Sequence, residues 1–126
     1  MALTGVGTMS FGGYALAEPL RVGVTSYTVS PRDWPRGLSL RLAILTDLHI
    51  CEPWLGIARL TELVHRTNAL APDAVLMLGD YVCGRSLSAW SRPVKHEDWA
   101  AVLAGLKAPL GVHAVLGNHD WWEDIE

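Results

Sequence analysis

The residues best suited to chemistry stand directly after three apolar segments that are far apart in the sequence. These segments read LAILTDLH, VLMLGDYVCG and AVLGNHD, and each changes abruptly from apolar to polar residues. The polar groups are three aspartates, two histidines and one asparagine: Asp47, His49, Asp80, Asn118, His119 and Asp120. Clustered carboxylates repel one another unless positive charge lies between them. Oxygen and imidazole donors together suit borderline divalent ions such as Mn, Fe or Zn, so the set predicts a metal site.

The local spacing supports this interpretation. Asp47 and His49 are two residues apart, which in an extended segment places both side chains on the same side. Gly79 and Gly84 flank the Asp80 loop and allow it to turn sharply. Any one of these residues alone is more often a turn cap or a solvated surface group. Three polar strand ends in succession favour a shared site over three unrelated caps.

The elements that must position these residues follow from the apolar pattern. Continuous apolar runs predict buried strands at about 40–46, 74–79 and 111–116. Apolar residues at helical spacing predict helices at about 55–70 and 96–106. Alternating strands and helices predict the α/β class, with a largely parallel sheet and βαβαβ crossovers. Parallel pairing brings the carboxyl ends of the strands to one edge, where ligands bind in open α/β sheets.

Two further elements are predicted outside this unit. The segment Leu20–Ser30 is rich in β-branched residues and alternates roughly, which predicts a strand that could lie at the edge of the sheet. The last residues, DWWEDIE, are predicted to begin another helix.

Length and charge limit the function classes. The chain has 126 residues, half of them apolar, which suffices for one domain with a core. Its formal net charge of −3 argues against a nucleic-acid partner. A nucleotide-binding Rossmann module would need a G-x-G-x-x-G or G-x-x-x-x-G-K-[ST] loop, and the sequence has neither. A phosphoaspartate domain would explain the acidic residues but not His49, Asn118 and His119.

The N-terminus and the cysteines leave alternatives open. Residues 1–19 carry no charge before Glu18 and end in a small-residue motif, Ala15-Leu16-Ala17. They are interpreted as the remnant of a signal peptide or membrane anchor, which predicts an exported or membrane-associated protein; the alternatives are a floppy arm and a cytoplasmic protein. Cys51 and Cys83 lack zinc-finger spacing. They are either small packing residues or a disulfide, with a metal role less favoured.

The ordered motifs resemble those of the calcineurin-like metallophosphoesterases. D-x-H, G-D-x-x-x-G and G-N-H-D occur here at residues 47–49, 79–84 and 117–120. The resemblance covers about residues 20–126, and the flanking sequences look closest to the membrane-associated bacterial branch. It implies the N-terminal part of a phosphoesterase domain, which is half of an α/β/β/α sandwich.

The resemblance also implies a site with two divalent metal ions. By resemblance, Asp47 and His49 would bind the first ion, Asp80 would bridge both ions, and Asn118 would bind the second. The ions would activate a bridging water for attack on a phosphomonoester or phosphodiester.

Two residues would act on the substrate rather than on the metals. By resemblance, His119 would lie near the scissile phosphate and stabilise the transition state or protonate the leaving oxygen. Asp120 would orient His119 by accepting a hydrogen bond from its ring.

The sequence departs from the family pattern in one respect. The family has further histidines downstream, one isolated and then a Gly-His-x-His pair, and neither follows within the 126 residues. The alternative function is therefore a truncated, non-catalytic fragment that lacks these ligands. An open apolar sheet face is expected for the same reason.

Overall fold

The computed structural model describes residues 22–83 and 91–123. The chain divides into two compact units, Met1–Trp34 and Pro35–Glu126. The predicted anchor at residues 1–19 and the predicted turn glycine Gly84 lie outside the described residues.

The first unit does not contain the predicted strand. Residues 22–30 form neither strand nor helix, while residues 20–21 lie outside the described part. The apolar side chains of this segment are exposed, with Tyr27 at 86% and Val29 at 78%. An alternating segment becomes a strand only where it joins a sheet, and the strand pairings of the described residues do not include this segment.

The second unit contains the predicted parallel sheet. Strands β1 (Leu42–Leu45), β3 (Ala74–Met77) and β5 (Val112–Ala114) form it in the order β1-β3-β5. Both pairings are parallel, with Leu42 opposite Ala74 and Val75 opposite Val112. The α/β prediction is confirmed, with strands somewhat shorter than predicted.

Two helices cover one face of this sheet. They are α1 (Ile57–Ala69) and α2 (His96–Leu103), and both lie inside the ranges predicted for them. Leu60, Val64 and Thr67 are the buried residues of α1, at the i, i+4, i+7 spacing of one helix face. Leu60 and Val64 pack with Val75 of the sheet and Leu103 of α2 in the main core.

Asn68 interrupts the apolar pattern of α1 because its amide has a structural partner. Its Nδ2 donates to the Gly105 carbonyl at 2.9 Å, and its Oδ1 accepts from the Lys107 N–H at 2.9 Å. The amide therefore ties the end of α1 to the chain that follows α2. The helix ends soon afterwards, before Pro72, which cannot continue it.

The structure adds a short antiparallel pair that was not predicted. Strands β2 (Cys51–Glu52) and β4 (Arg92–Pro93) form it, outside the ranges in which strands were predicted. A final helix, α3 (Asn118–Glu123), confirms the helix predicted at the end of the chain.

The opposite face of the sheet is open among the described residues. Side chains alternate between faces along a strand. Leu42 and Ile44 of β1 therefore share a face with Leu78 and Val115, which follow β3 and β5 in register. These four side chains are 48–57% exposed. The runs were predicted to be buried on both faces, whereas the described helices cover only one.

We expect this open face to make the 126-residue chain self-associate, because contiguous exposed apolar surface favours association. Replacing Leu42 and Ile44 together with threonine should lower the associated fraction. Replacing Val24 with threonine serves as the control, because Val24 is 57% exposed but lies in the first unit. This substitution should leave the associated fraction nearly unchanged. Size-exclusion chromatography with light scattering gives the mass. A monomer at all concentrations before any substitution would contradict the expectation.

Candidate metal centre

The segments that leave the three parallel strands meet at the carboxyl edge of the sheet. The backbone N–H of Asp47 donates to the Gly79 carbonyl at 3.2 Å, and that of His49 donates to the Asp80 carbonyl at 3.0 Å. The backbone N–H of His119 donates to Asp80 Oδ1 at 3.0 Å. Asp80 therefore contacts both the segment after β1 and the start of α3.

Three of the predicted residues bring possible metal ligands together. His49, Asp80 and His119 each offer one ligand atom, and these atoms all lie within 4.8 Å of one another. All three residues are half-buried. The two imidazole rings meet edge-to-face, with centroids 5.0 Å apart. Two imidazoles and one carboxylate form a donor set that suits Zn, Fe or Mn and leaves positions for water or substrate.

The tautomer of His49 is set by a backbone carbonyl. Its Nδ1 lies 3.0 Å from the Val82 oxygen. Because a carbonyl only accepts, the neutral ring carries its proton on Nδ1 and leaves the Nε2 lone pair available to an ion. Such contacts to the second ring nitrogen orient histidine ligands in metal sites.

Asp47 lies on the same edge but outside this three-residue group. It is exposed, and its Oδ2 accepts a hydrogen bond from the Thr46 hydroxyl at 2.6 Å. The alternation expected for an extended Asp47-Leu48-His49 segment does not hold, because φ is 53° at Asp47 and 41° at His49. The proposal that these two residues share an ion stays a prediction.

Left-handed backbone is concentrated at the site. Asp47, His49 and Asp80 all have positive φ, with 56° at Asp80. The other non-glycine residue with positive φ among the described residues is Ala71, at the turn before Pro72. Such conformations cost about 1–3 kcal/mol each and cluster at functional sites. The strain supports a functional role for these loops.

Two glycines allow the loops to approach. Gly79 has a φ of +95°, and a Cβ there would collide with the backbone of Gly117. A Cβ on Gly117 would in turn collide with the carboxylate of Asp80. Any larger residue at either position would therefore separate the Asp80 loop from the start of α3.

Asp120 has partners other than the predicted one. Its carboxylate accepts four hydrogen bonds from the backbone N–H groups of Asp80, Tyr81, Val82 and Gly117, at 2.8–3.2 Å. The residue is 8% exposed. Among the described residues, the hydrogen bonds to this carboxylate come from backbone N–H groups and not from the His119 ring.

The His119 ring lies between two other rings. It meets the rings of His49 and Trp122 edge-to-face, at centroid distances of 5.0 and 5.1 Å. Successive side chains on a helix point about 100° apart. Since α3 begins at Asn118, His119 and its neighbour Asp120 therefore point in different directions. The sequence reasoning did not foresee that His119 would join the group of possible metal ligands or contact Trp122, and its predicted role at the phosphate stays a prediction.

Asn118 is the first residue of α3 and is exposed at the same edge. Its backbone lies between Gly117, whose N–H donates to the Asp120 carboxylate, and His119, whose N–H donates to the Asp80 carboxylate. The predicted ligand role of its amide oxygen stays a prediction.

Burial also perturbs two side chains beside the site. It raises the pKa of the Cys51 thiol to about 12, with a hydrogen bond to Cys83 as the next cause. It also raises the pKa of Tyr81, whose hydroxyl donates to the Val115 carbonyl at 2.8 Å. Both groups are therefore neutral at pH 7 and contribute packing and hydrogen bonds to the loops.

Comparison with known proteins agrees with the motifs. The family profile for calcineurin-like phosphoesterases matches residues 40–126. An uncharacterized metallophosphoesterase of Aquifex aeolicus is 32% identical over 113 residues, which are 88% of this chain and 40% of that protein. No solved structure gives a significant match.

Two other relatives carry more specific names. The UDP-2,3-diacylglucosamine pyrophosphatase LpxG of Chlamydia trachomatis is 33% identical over 91 residues, which are 72% of this chain and 26% of that protein. A zebrafish (Danio rerio) transmembrane protein with a metallophosphoesterase domain is 33% identical over 88 residues, 69% of this chain and 18% of that protein.

These relatives are all longer than the aligned region, so the chain spans between 18% and 40% of their lengths. The family match itself covers more than half of the chain, including every residue of the predicted site. The chain belongs to the calcineurin-like phosphoesterase family.

Proposed function

We propose that the protein takes part in metal-dependent hydrolysis of phosphoesters, with the carboxyl edge of the β1-β3-β5 sheet as its active site. The observation that carries the proposal is the approach of His49, Asp80 and His119, whose ligand atoms lie within 4.8 Å of one another. The family match supports the reaction class.

The residues present fit a divalent ion. The histidine and carboxylate donors match the preferences of Mn, Fe and Zn, and the Val82 carbonyl already fixes the His49 tautomer. Divalent ions in such sites supply an activated water and neutralise charge on the phosphoryl oxygens.

The proposed roles of the individual residues rest on the family motifs. Asp47 and His49 would hold the first ion, Asp80 would contribute to both ions, and Asn118 would hold the second. Half-burial of Asp80 and its contact with the start of α3 support a position between the two loops.

His119 has two candidate roles at this site. The resemblance to the family motif supports a role at the scissile phosphate, where His119 would stabilise charge or protonate the leaving oxygen. Its position beside His49 and Asp80 also favours direct metal binding. The exposed side chain of Trp122 contacts the His119 ring. This contact restricts the orientation of the ring in either role.

The substrate is proposed to be a phosphomonoester or a phosphodiester. The Chlamydia relative is named as a pyrophosphatase, which adds the phosphoanhydride linkage to the substrate classes to be tested. Membrane association is also a proposal, supported by the zebrafish relative's name and by the apolar residues 1–19. In the described residues, no helix has the length and apolar character needed to span a bilayer.

The test measures p-nitrophenol release from bis-p-nitrophenyl phosphate with added Mn²⁺. It uses the longest form of the protein that its gene encodes and, in parallel, the 126-residue chain. We expect metal-dependent release by the longest form that stops on chelation. A site that holds one metal ion instead of two loses several kcal/mol of transition-state stabilisation. Each 1.36 kcal/mol lost lowers the rate of hydrolysis tenfold.

The same comparison separates the two function hypotheses. Little or no release by the 126-residue chain, together with turnover by a longer form, would support the non-catalytic alternative for the chain itself. Release that is unaffected by chelation would contradict the proposed function in both forms.

A further inference from the structure

Two thiols lie side by side directly behind the candidate metal ligands. Cys51 follows His49 by two residues, and Cys83 follows Asp80 by three. An isolated parallel bridge joins Ile50 to Val82, and Cys51 and Cys83 are the next residues of the two bridged segments. The two thiols are within hydrogen-bonding reach of each other, and both cysteines are free.

The backbone geometry allows a covalent link. Neighbouring strands lie about 4.8 Å apart, so the bridge between Ile50 and Val82 brings the two segments to the separation of about 4.4–6.8 Å that disulfides span between Cα atoms. Cys51 and Cys83 also contact the same third group, the hydroxyl of Ser91, which lies 3.3 Å from the Cys83 sulfur. A disulfide would therefore need little movement of either segment.

The two thiols differ in access. Cys51 is fully buried, at 0% exposure, and its backbone is paired with β4. Cys83 is half-buried, so a small reagent reaches it first. Such a pair can react in two steps: the accessible thiol first forms a mixed disulfide with the reagent, and the enclosed thiol then displaces the reagent from it. Within the described chain, the pair belongs to no group of three or more metal-ligating side chains.

We propose that Cys51 and Cys83 form a reversible redox pair whose disulfide joins the His49 segment to the Asp80 segment. The oxidant is a small-molecule disulfide. The Cys83 thiolate attacks one of its sulfur atoms, and a mixed disulfide forms as the first thiol leaves. The Cys51 sulfur then attacks the Cys83 sulfur, its proton passes to the departing sulfur of the reagent, and the second thiol leaves. The protein is oxidised by two electrons and the reagent is reduced to two thiols.

The disulfide has a structural consequence that can be measured. It closes a loop that contains the whole of α1 and β3. Cross-linking such a loop restricts the unfolded chain and stabilises the folded one. The oxidised chain is therefore expected to unfold at a temperature at least about 5 °C higher.

The test treats the 126-residue chain with oxidised glutathione and measures intact mass, alkylation and thermal unfolding. The expected product is a monomeric chain that has lost two hydrogen atoms and resists alkylation. It should show the raised unfolding temperature and return to the starting form with dithiothreitol. A lasting glutathione adduct on Cys83, a disulfide-linked dimer or no reaction would each overturn the proposal.

Two variants separate the steps. In Cys51→Ala the reaction should stop at the mixed disulfide on Cys83. In Cys83→Ala the enclosed Cys51 should remain unmodified. If Cys51→Ala does not fold, the unsubstituted chain and Cys83→Ala still decide the outcome. The mass measurement needs neither metal nor substrate, so its failure is independent of the proposed hydrolysis.

Discussion

Replacing Asp80 with asparagine is expected to lower the affinity of the chain for Mn²⁺ by about 100-fold or more, since even residues that only support metal ligands change affinity by about 10–100-fold. Asp80 supplies the sole carboxylate in the three-residue ligand group. Asparagine keeps the shape and one acceptor oxygen, so the hydrogen bond from the His119 N–H can persist. The loss of Mn²⁺ affinity is therefore due to the missing carboxylate charge. Isothermal titration calorimetry measures the affinity.

The matched control is Asp98→Asn, which makes the same chemical change at an exposed position in the first turn of α2. Its Mn²⁺ affinity should stay within about twofold of the unsubstituted chain, because an exposed charge outside the ligand group is screened by solvent. Equal affinities for Asp80→Asn and the unsubstituted chain would end the metal-centre hypothesis for this group.

The same titration distinguishes the two roles of His119. His119→Ala leaves metal content nearly intact if the ring acts at the phosphate, as the motif implies. It lowers metal affinity about as much as Asp80→Asn if the ring is a ligand, as its distance from His49 permits. Hydrolysis falls in both cases, so metal content is the deciding measurement.

The sheet and its helices could be predicted because their signals are local. The strands β1, β3 and β5 are continuous apolar runs that end in polar residues, and α1 carries its apolar residues at helical spacing. The strand predicted at residues 20–30 was wrong over its described part, because strand formation depends on a partner edge that the segment itself does not encode. The β2-β4 pair was missed for the converse reason, since two residues on each side carry no periodic signal.

The candidate site was predictable in its residues but not in its contacts. The carboxyl ends of parallel strands lie at the same edge of a sheet, and this topology predicted that the aspartates and histidines lie close together. The partners of Asp120 could not be read from the sequence, because backbone N–H groups are common to nearly all residues. The position of His119 depends on where α3 begins, and a shift of one residue would turn its side chain by about 100°.

Asp120 supports the site through the backbone of the Asp80 loop, and its replacement is expected to have the largest effect on stability. One buried carboxylate accepts hydrogen bonds from four backbone N–H groups in two separate segments. Asp120→Ala leaves these donors without their acceptor, at a cost of about 1–3 kcal/mol for each that stays buried and unsatisfied. We expect a loss of about 3–5 kcal/mol in the free energy of unfolding, comparable to breaking a buried ion pair.

Asparagine should not rescue this position. Its side chain has the same shape, but one carboxylate oxygen becomes an NH₂ group that faces two N–H donors in place of an acceptor. Asp120→Asn should therefore lower the free energy of unfolding by about 3 kcal/mol. Urea unfolding followed by tryptophan fluorescence measures this change. The matched control is Asp73→Asn, because Asp73 Oδ2 accepts only the Arg41 N–H, at 2.6 Å on an exposed surface. That control should lose about 0.5–1.5 kcal/mol, and equal losses for the two asparagine variants would show that Asp120 does not hold the loop.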